Sequence, residues 1–420
     1  MKILIITTTK QLTGLNYHRQ IIPHNHLVAN FDGYNVDYAD SIDWVTDEQL
    51  KDYQIVSFLR LIQGNIDEQI ERIKRCGCKV ILDIDDYWVL HEKHALKQIY
   101  NDSNTPQITI DSIKAVDYIT TTTEHFADKI REYNRNVTVI PNSIDATVDQ
   151  FKTKAIPSER TRIGWIGGSF HLPDISLISS GFSELWKGIS NDKFQLILGG
   201  YLYPDKIKYL TNEIALGNLD EITLSRFNFY LKQLENKVNV PDVLIFNNIY
   251  QNVPENDLIE FFFTVGNKYP RDKEYWNYLN EKKCERLELM ENKPYKRLWA
   301  MHPYNYAEMY NDIDVALVPL VENNFNSYKS QIKIIEAGWF NKAVIVSNVM
   351  PYTIDCNSSN SILISPNKRN EGWGVAMKSL VLNPNKREDL AAKLHEEVRA
   401  KYNMNDVNKV RNELYKWITE

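Results

Sequence analysis

The stretch that most constrains the fold runs from 314 to 348, DVALVPLVENNFNSYKSQIKIIEAGWFNKAVIVSN. Residues 314–320 are apolar and β-prone, 321–327 are polar and rich in Asn, a helical pattern follows, and 343–347 is a second short strand of the buried type. Strand, crossover helix and parallel strand make a βαβ unit. Such a unit needs a parallel sheet, and ligands of such sheets bind at the carboxyl ends of the strands. The chain is therefore read as α/β.

Within that unit the helix carries the polar chemistry. Lys329, Lys333 and Glu336 are four and three residues apart and share one helical face. Ile332, Ile335 and Trp339 form an adjacent apolar stripe for packing on the sheet. The pattern puts Lys329 and Ser330 in the first turn, where free N–H groups and the helix dipole attract an anion. A lysine there opposes the dipole unless an anion sits beside it. The helix therefore reads as holding a phosphate at its start, with Glu336 deeper and able to accept from sugar hydroxyls. The alternative is a solvated Lys/Glu stripe.

The 420 residues suffice for two or three domains, and 43% hydrophobic with 25% charged residues is an ordinary globular balance. A net charge of −6 gives no overall pull toward nucleic acid or an anionic membrane. Cys76 and Cys78 have the wrong spacing for a zinc knuckle or a C-x-x-C redox pair, and with Cys284 and Cys356 they read as free thiols of a reducing, cytoplasmic setting. No apolar run reaches the length of a membrane span. The N-terminal MKILIITTTK reads as a first strand rather than a signal peptide.

Taken in order, strands are expected at 2–8, 54–58, 79–82, 117–121 and 137–140, with a helix over 66–75. The loop after the first strand contains Gly14, and a helix begins near Tyr17 and meets Pro23. Arg19 there is either a phosphate fork or a surface arginine. The strand at 79–82 runs into Asp83, Asp85, Asp86 and then His91 and His94. Carboxylates at that place are candidates for substrate contact or helix capping. Asp83-Ile84-Asp85 also matches a short metal-binding D-x-D pattern. A polar hinge covers 146–161. The second half restarts at Arg162-Ile163-Gly164-Trp165-Ile166-Gly167-Gly168-Ser169-Phe170-His171, a strand followed by glycines that let backbone approach a phosphate. A strand at 194–198 precedes residues 201–294. That run is too long for a loop and is read as an insert serving acceptor recognition or oligomerisation, or as a supporting subdomain. Helices are expected at 304–310, 372–382, 387–402 and 407–418, and strands at 297–301 and 361–365.

VIPNSID at 139–145, RIGWIGG at 162–168, and DVALVPL followed by YKSQIKIIEAGWFNKAVIVS at 328–347 resemble the GT-B glycosyltransferases, most closely the retaining family 4. The resemblance spans most of the chain outside 201–294. It implies two Rossmann-like domains facing a cleft: 1–155 on the acceptor side, and 156–400 for the nucleotide sugar with a large insertion. A final helix in 401–420 is expected to pack back on the first domain. It further implies transfer of a sugar from a nucleotide-diphosphate donor, with retention, with no cofactor and no bound metal. By position, Glu336 would bind the ribose, and Lys329, Ser330 and Lys333 the diphosphate. Gly167, Gly168 and Ser169 would approach the phosphates by backbone, and Gly14 and Arg19 would close over them. Asp85, Asp86 and His91 would face the acceptor, one of them acting as base.

Two departures stand out. Tyr328 occupies the place of the first of two glutamates seven residues apart in many family members, and Gly-Gly-Ser-Phe-His replaces an Arg and Lys after the first strand of the second domain. A donor hydrolase or epimerase of the same fold, and a non-catalytic nucleotide-binding module, are the competing readings. The donor base and the acceptor stay open among saccharide, lipid-linked saccharide, protein and modified base of a nucleic acid.

Overall fold

The structure, a computed structural model, describes residues 1–7, 14–92, 94, 96–154, 156–168, 171–190, 192–200, 295–298, 303–366 and 371–420. The sequence-predicted insert at 201–294, with its suggested role in oligomerisation, lies outside the described residues.

Two parallel sheets organise the chain. The first contains β1 (Lys2–Ile6), β2 (Asn35–Ala39), β3 (Ile55–Leu59), β4 (Lys79–Ile84), β5 (Tyr118–Thr121) and β6 (Val137–Val139), in the order β2-β1-β3-β4-β5-β6. The second contains β7 (Thr161–Ile166), β8 (Phe194–Gly199), β9 (Tyr295–Leu298), β10 (Val315–Val318), β11 (Ala343–Ser347) and β12 (Ile362–Ile364), in the order β12-β11-β10-β7-β8-β9. The central strands are near-continuous apolar runs, KILII, IVSFL and AVIVS, because helices cover both faces. The edge strand β2, NVDYA, is half-exposed and polar and was not expected from its sequence. The helices Lys97–Asp102 and Thr105–Ala115 were likewise unforeseen, whereas Ile66–Arg75 falls where its periodicity places it. Asn65 caps that helix, accepting from Glu68 N–H, with acids in its first turn and bases in its last.

The unit at 314–348 forms as expected in outline: Val315 pairs with Ala343 in parallel register and with Ile163 on the other side. Its helix differs. It spans Ile332–Trp339, and a separate single turn, Asn324–Ser327, precedes it. Asn323 caps that turn, its side chain accepting from Asn326 N–H, and the helical path is interrupted at 328–331. Lys329 and Ser330 therefore stand in the linker before the helix, not in its first turn.

The helix over 14–30 has a π-helical middle, Tyr17–Ile21, just before Pro23. Proline cannot donate a backbone hydrogen bond, and a wider turn absorbs the mismatch while turning His18 and Arg19 inward. The last helix, Met404–Thr419, packs on the first sheet. Val407, Leu414, Tyr415 and Ile418 share a buried cluster with Ile3, Ile5, Leu27, Ile55 and Ile81, and Tyr415 Oη meets His24 Nε2 at 2.8 Å.

The two lobes touch extensively. Tyr17, Ile22, Ile144 and Phe151 of the first lobe belong to the core that surrounds Trp339 and Phe340 of the second. In the other direction, Phe325 and Tyr328 enter the core of the first lobe. Asn142 Nδ2 donates to Ser330 Oγ at 2.8 Å, and Trp339 Nε1 donates to the Phe151 carbonyl at 3.1 Å.

Candidate active site

The strand ends β7 and β10 and the start of Ile332–Trp339 converge on one lysine. The Lys333 stem is half-buried, but Nζ is shielded from solvent and has no hydrogen-bond partner among the described residues. It lies 4.7 Å from the centroid of the Trp165 ring. A Cβ at Gly167 would stand 2.8 Å from this ammonium and 2.7 Å from the Trp165 ring, so only glycine leaves the passage open. Burial lowers its pKa to about 8, with Asp174 the nearest opposing influence. No side chain caps the helix, because Gln331 turns its amide to Asp355 and Tyr402 instead. Lys333 thus pairs a shielded ammonium, without a hydrogen-bond partner among the described residues, with a helix start that has no side-chain cap, and an anion would suit both.

Lys329 approaches from the linker. Its Nζ lies 3.6 Å from Asp86 Oδ1 of the first lobe and 4.6 Å from the Phe325 centroid. Beside it is a cavity of about 300 Å³, lined by His91 and His94 of the first lobe and by His171, Asp174, Phe325 and Lys329 of the second. His171 Nδ1 is 2.8 Å from Asp174 Oδ2, and burial with the Lys333 charge brings its pKa down to about 4. Burial also lowers His91 and His94, so both rings are neutral at pH 7. Gly168 is exposed, and among the described residues nothing lies within 4 Å of where a Cβ would stand at Gly168 or at Gly14. Ser169 lies outside the described residues.

Glu336 is deeper. It is 4% exposed and accepts from Tyr306 Oη and, at 3.0 Å, from Tyr310 Oη. Burial raises its pKa to about 7 against the pull of those two hydroxyls. Tyr306 Oη also lies 2.7 Å from His18 Nε2, so the network reaches the first lobe. Neither tyrosine was singled out in the sequence. They lie 26 and 30 positions before Glu336, and only the packing of Tyr306–Asp312 beside the helix brings them together.

Arg19 is not a surface arginine: it is 2% exposed and engaged within the first lobe. Its guanidinium grips both Asp83 oxygens at 2.9 and 2.6 Å and donates to the Ile140 carbonyl at 2.8 Å, locking β4 to the end of β6. Thr120 Oγ1 donates to the same carboxylate at 2.6 Å. Asp85 and Asp86 are held by Arg60 rather than capping a helix, and neither lines the cavity, whereas His91 does. Tyr328 stacks on His125 with centroids 4.8 Å apart and planes 12° apart, facing the first lobe.

No protein-family model matches the sequence, and no curated protein matches it significantly. Solved structures do resemble it. HepE from Anabaena in complex with UDP-glucose superposes over 99% of this chain and 100% of its own, with TM-score 0.55 and 10% identity. Sucrose-phosphate synthase from Thermosynechococcus elongatus covers 99% of this chain and 98% of its own, with TM-score 0.57 and 12% identity. A glycosyltransferase from Rickettsia africae covers 100% of this chain and 98% of its own, with TM-score 0.53 and 12% identity. These likenesses span both lobes, and the fold is GT-B. Among the described residues no helix is long and apolar enough to cross a membrane.

Proposed function

We propose that the protein is a glycosyltransferase that moves a sugar from a nucleotide-diphosphate donor to an acceptor in the cavity between the lobes. The observation that carries this reading is the Lys333 ammonium, shielded from solvent beside Gly167 and without a hydrogen-bond partner among the described residues, on a helix with no side-chain cap. A buried ammonium without a hydrogen-bond acceptor costs free energy that the carboxylates of Asp174 and Glu336 offset only in part, and a diphosphate would recover it. Lys329 and Ser330 flank the same point from the linker. The names of the structural neighbours, which include a UDP-glucose complex, agree with such a donor.

In this proposal Lys333 and Lys329 neutralise charge as the glycosidic bond to the diphosphate breaks, which is where a pre-placed cation accelerates the step. Glu336 accepts from the ribose hydroxyls, displacing Tyr306 or sharing its remaining lone pairs. Gly167 and Gly168 admit the phosphates to the backbone. His91, on the cavity wall, is the base offered to an acceptor hydroxyl; Asp86 acts through Lys329, and Asp85 through the Arg60 that both carboxylates share. Asp83 and Asp85 are each engaged by an arginine, so charge neutralisation is assigned to the lysines rather than to a metal. Retention of configuration belongs to the same proposal and rests on resemblance alone. Donor hydrolysis is the second reading, favoured by Tyr328, which stands where many family members carry a glutamate and turns toward His125.

The test is a thermal-shift screen of nucleotide sugars, followed by product analysis with and without an acceptor panel. The proposal expects one nucleotide class to raise the melting temperature and Lys333→Met to abolish that rise. A rise that survives the substitution would refute the site.

A further inference from the structure

The proposed donor site does not account for a chain of charges on its first-lobe side. β3 ends at Leu59, and Arg60 follows with φ +68°. The other non-glycine residues with positive φ among the described residues are Asn104 and Asn341. Asparagine tolerates this region through its short polar side chain, and arginine has no such excuse. Strain of this kind persists where the surroundings enforce it and points to a local task.

The task is visible in what Arg60 holds. Its backbone N–H donates to the Asp83 carbonyl at 2.7 Å, fixing the turn against β4. Its Nε donates to Asp85 Oδ1 at 2.9 Å and its Nη2 to Asp86 Oδ2 at 2.5 Å. The second Asp86 oxygen, Oδ1, faces Lys329 Nζ across the cleft at 3.6 Å. Carboxylates and cations therefore alternate from Asp85 through Arg60 and Asp86 to Lys329. All four side chains are partly buried, between 16% and 33% exposed, so solvent screens them only in part.

We propose that Arg60 is a positioning residue for donor binding: by gripping Asp86 from the first-lobe side, it lets Lys329 exchange that carboxylate for the diphosphate of an incoming nucleotide. This rests on the donor-site reading above. Asp86 and a diphosphate compete for one ammonium. A carboxylate with a second cation in hand gives up the first at lower cost, whereas an Asp86 without Arg60 would keep Lys329 to itself. The charges agree with this division. Burial alone would raise Asp86, yet Lys329 and Arg60 together hold it below the usual carboxylate range. Asp85, also buried and beside Asp86, is pushed up despite Arg60. Asp86 is thus the carboxylate that stays charged between the two cations.

The test is calorimetric titration of UDP, with inorganic pyrophosphate as a base-free second probe, into the full-length protein and three variants. Arg60→Gly removes the guanidinium while keeping the left-handed backbone accessible. It is expected to weaken UDP binding about fivefold or more, although Arg60 touches no ligand in this account. Asp86→Asn is expected to bind at least as tightly as wild type, and R60G/D86N to return to the Asp86→Asn level. UDP affinity unchanged in Arg60→Gly, or a double variant as weak as Arg60→Gly, would overturn the inference. If Arg60→Gly fails to fold, weaker binding by Asp86→Asn alone would overturn it as well. A wild-type protein that binds neither UDP nor pyrophosphate would remove the donor-site reading and this inference together; wild-type binding with all variants equal would remove this inference only.

Discussion

Replacing Lys333 by Met should make the protein more stable and, at the same time, nearly blind to nucleotide. Its pKa falls from 10.5 to about 8 on burial. At about 1.4 kcal/mol per pH unit, that difference corresponds to a penalty of roughly 3 kcal/mol for carrying the charge in the folded state. The half-buried stem recovers part of this, so a gain of about 2 kcal/mol for Lys333→Met at pH 7 is the working figure. Met is close in volume and keeps the contact with Trp165. The sign with pH follows from the depressed pKa. The penalty is complete below pH 8, shrinks between 8 and 10.5, and is gone above 10.5, so the two proteins should converge in alkali. Thermal melts at pH 7 and pH 10 measure this; a gain of a few degrees is expected at pH 7 and little at pH 10. Calorimetry with UDP on the same samples should show affinity lower by about two orders of magnitude, the usual scale for truncating one partner of a buried charge pair. A variant that is less stable than wild type, or that binds UDP normally, would refute the reasoning.

The remaining expectations concern the neighbouring groups. Glu336 titrates near 7 when folded and near 4.5 when unfolded, so its stabilising contribution is full below pH 4.5 and is lost as pH rises through 7, a change of about 3 kcal/mol; Glu336→Gln should flatten the denaturation midpoint across that window, and an unchanged slope would count against a buried carboxylate. Arg19→Met strands Asp83 in the core and should cost about 3–5 kcal/mol in urea denaturation, with UDP affinity preserved wherever the protein remains folded; a selective loss of UDP binding would restore Arg19 to the site. Tyr328→Glu puts a charge among Tyr87, Phe126 and His125 and should lower the melting temperature by an amount equivalent to about 2 kcal/mol or more; a neutral effect would mean that Tyr328 does not dock the lobes as described.

The legible part of the fold was the part written in local pattern. Runs such as IVSFL and AVIVS announce buried parallel strands because both of their faces are covered, and Ile66–Arg75 announces itself by period and capping. NVDYA carries no such signature, since an edge strand is specified by the neighbour it pairs with rather than by burial. The phosphate-side helix was located, but its start was placed too early, because Asn323 caps a separate turn that periodicity cannot distinguish from the helix beyond. The burial of Arg19 is illegible for a related reason. Its partner Asp83 is 64 residues away, and no local rule foretells a bidentate pair at that distance. Lys333 and Glu336 could be assigned to one helical face from their spacing, yet their isolation from water depends on Gly167, Trp165, Tyr306 and Tyr310, which only the tertiary structure assembles.

The most direct measurement is a crystal structure of the protein soaked with UDP. A phosphate oxygen is expected within hydrogen-bond distance of Lys333 Nζ, beside Gly167 and the start of Ile332–Trp339. A nucleotide bound elsewhere, with that ammonium still unpaired, would contradict it.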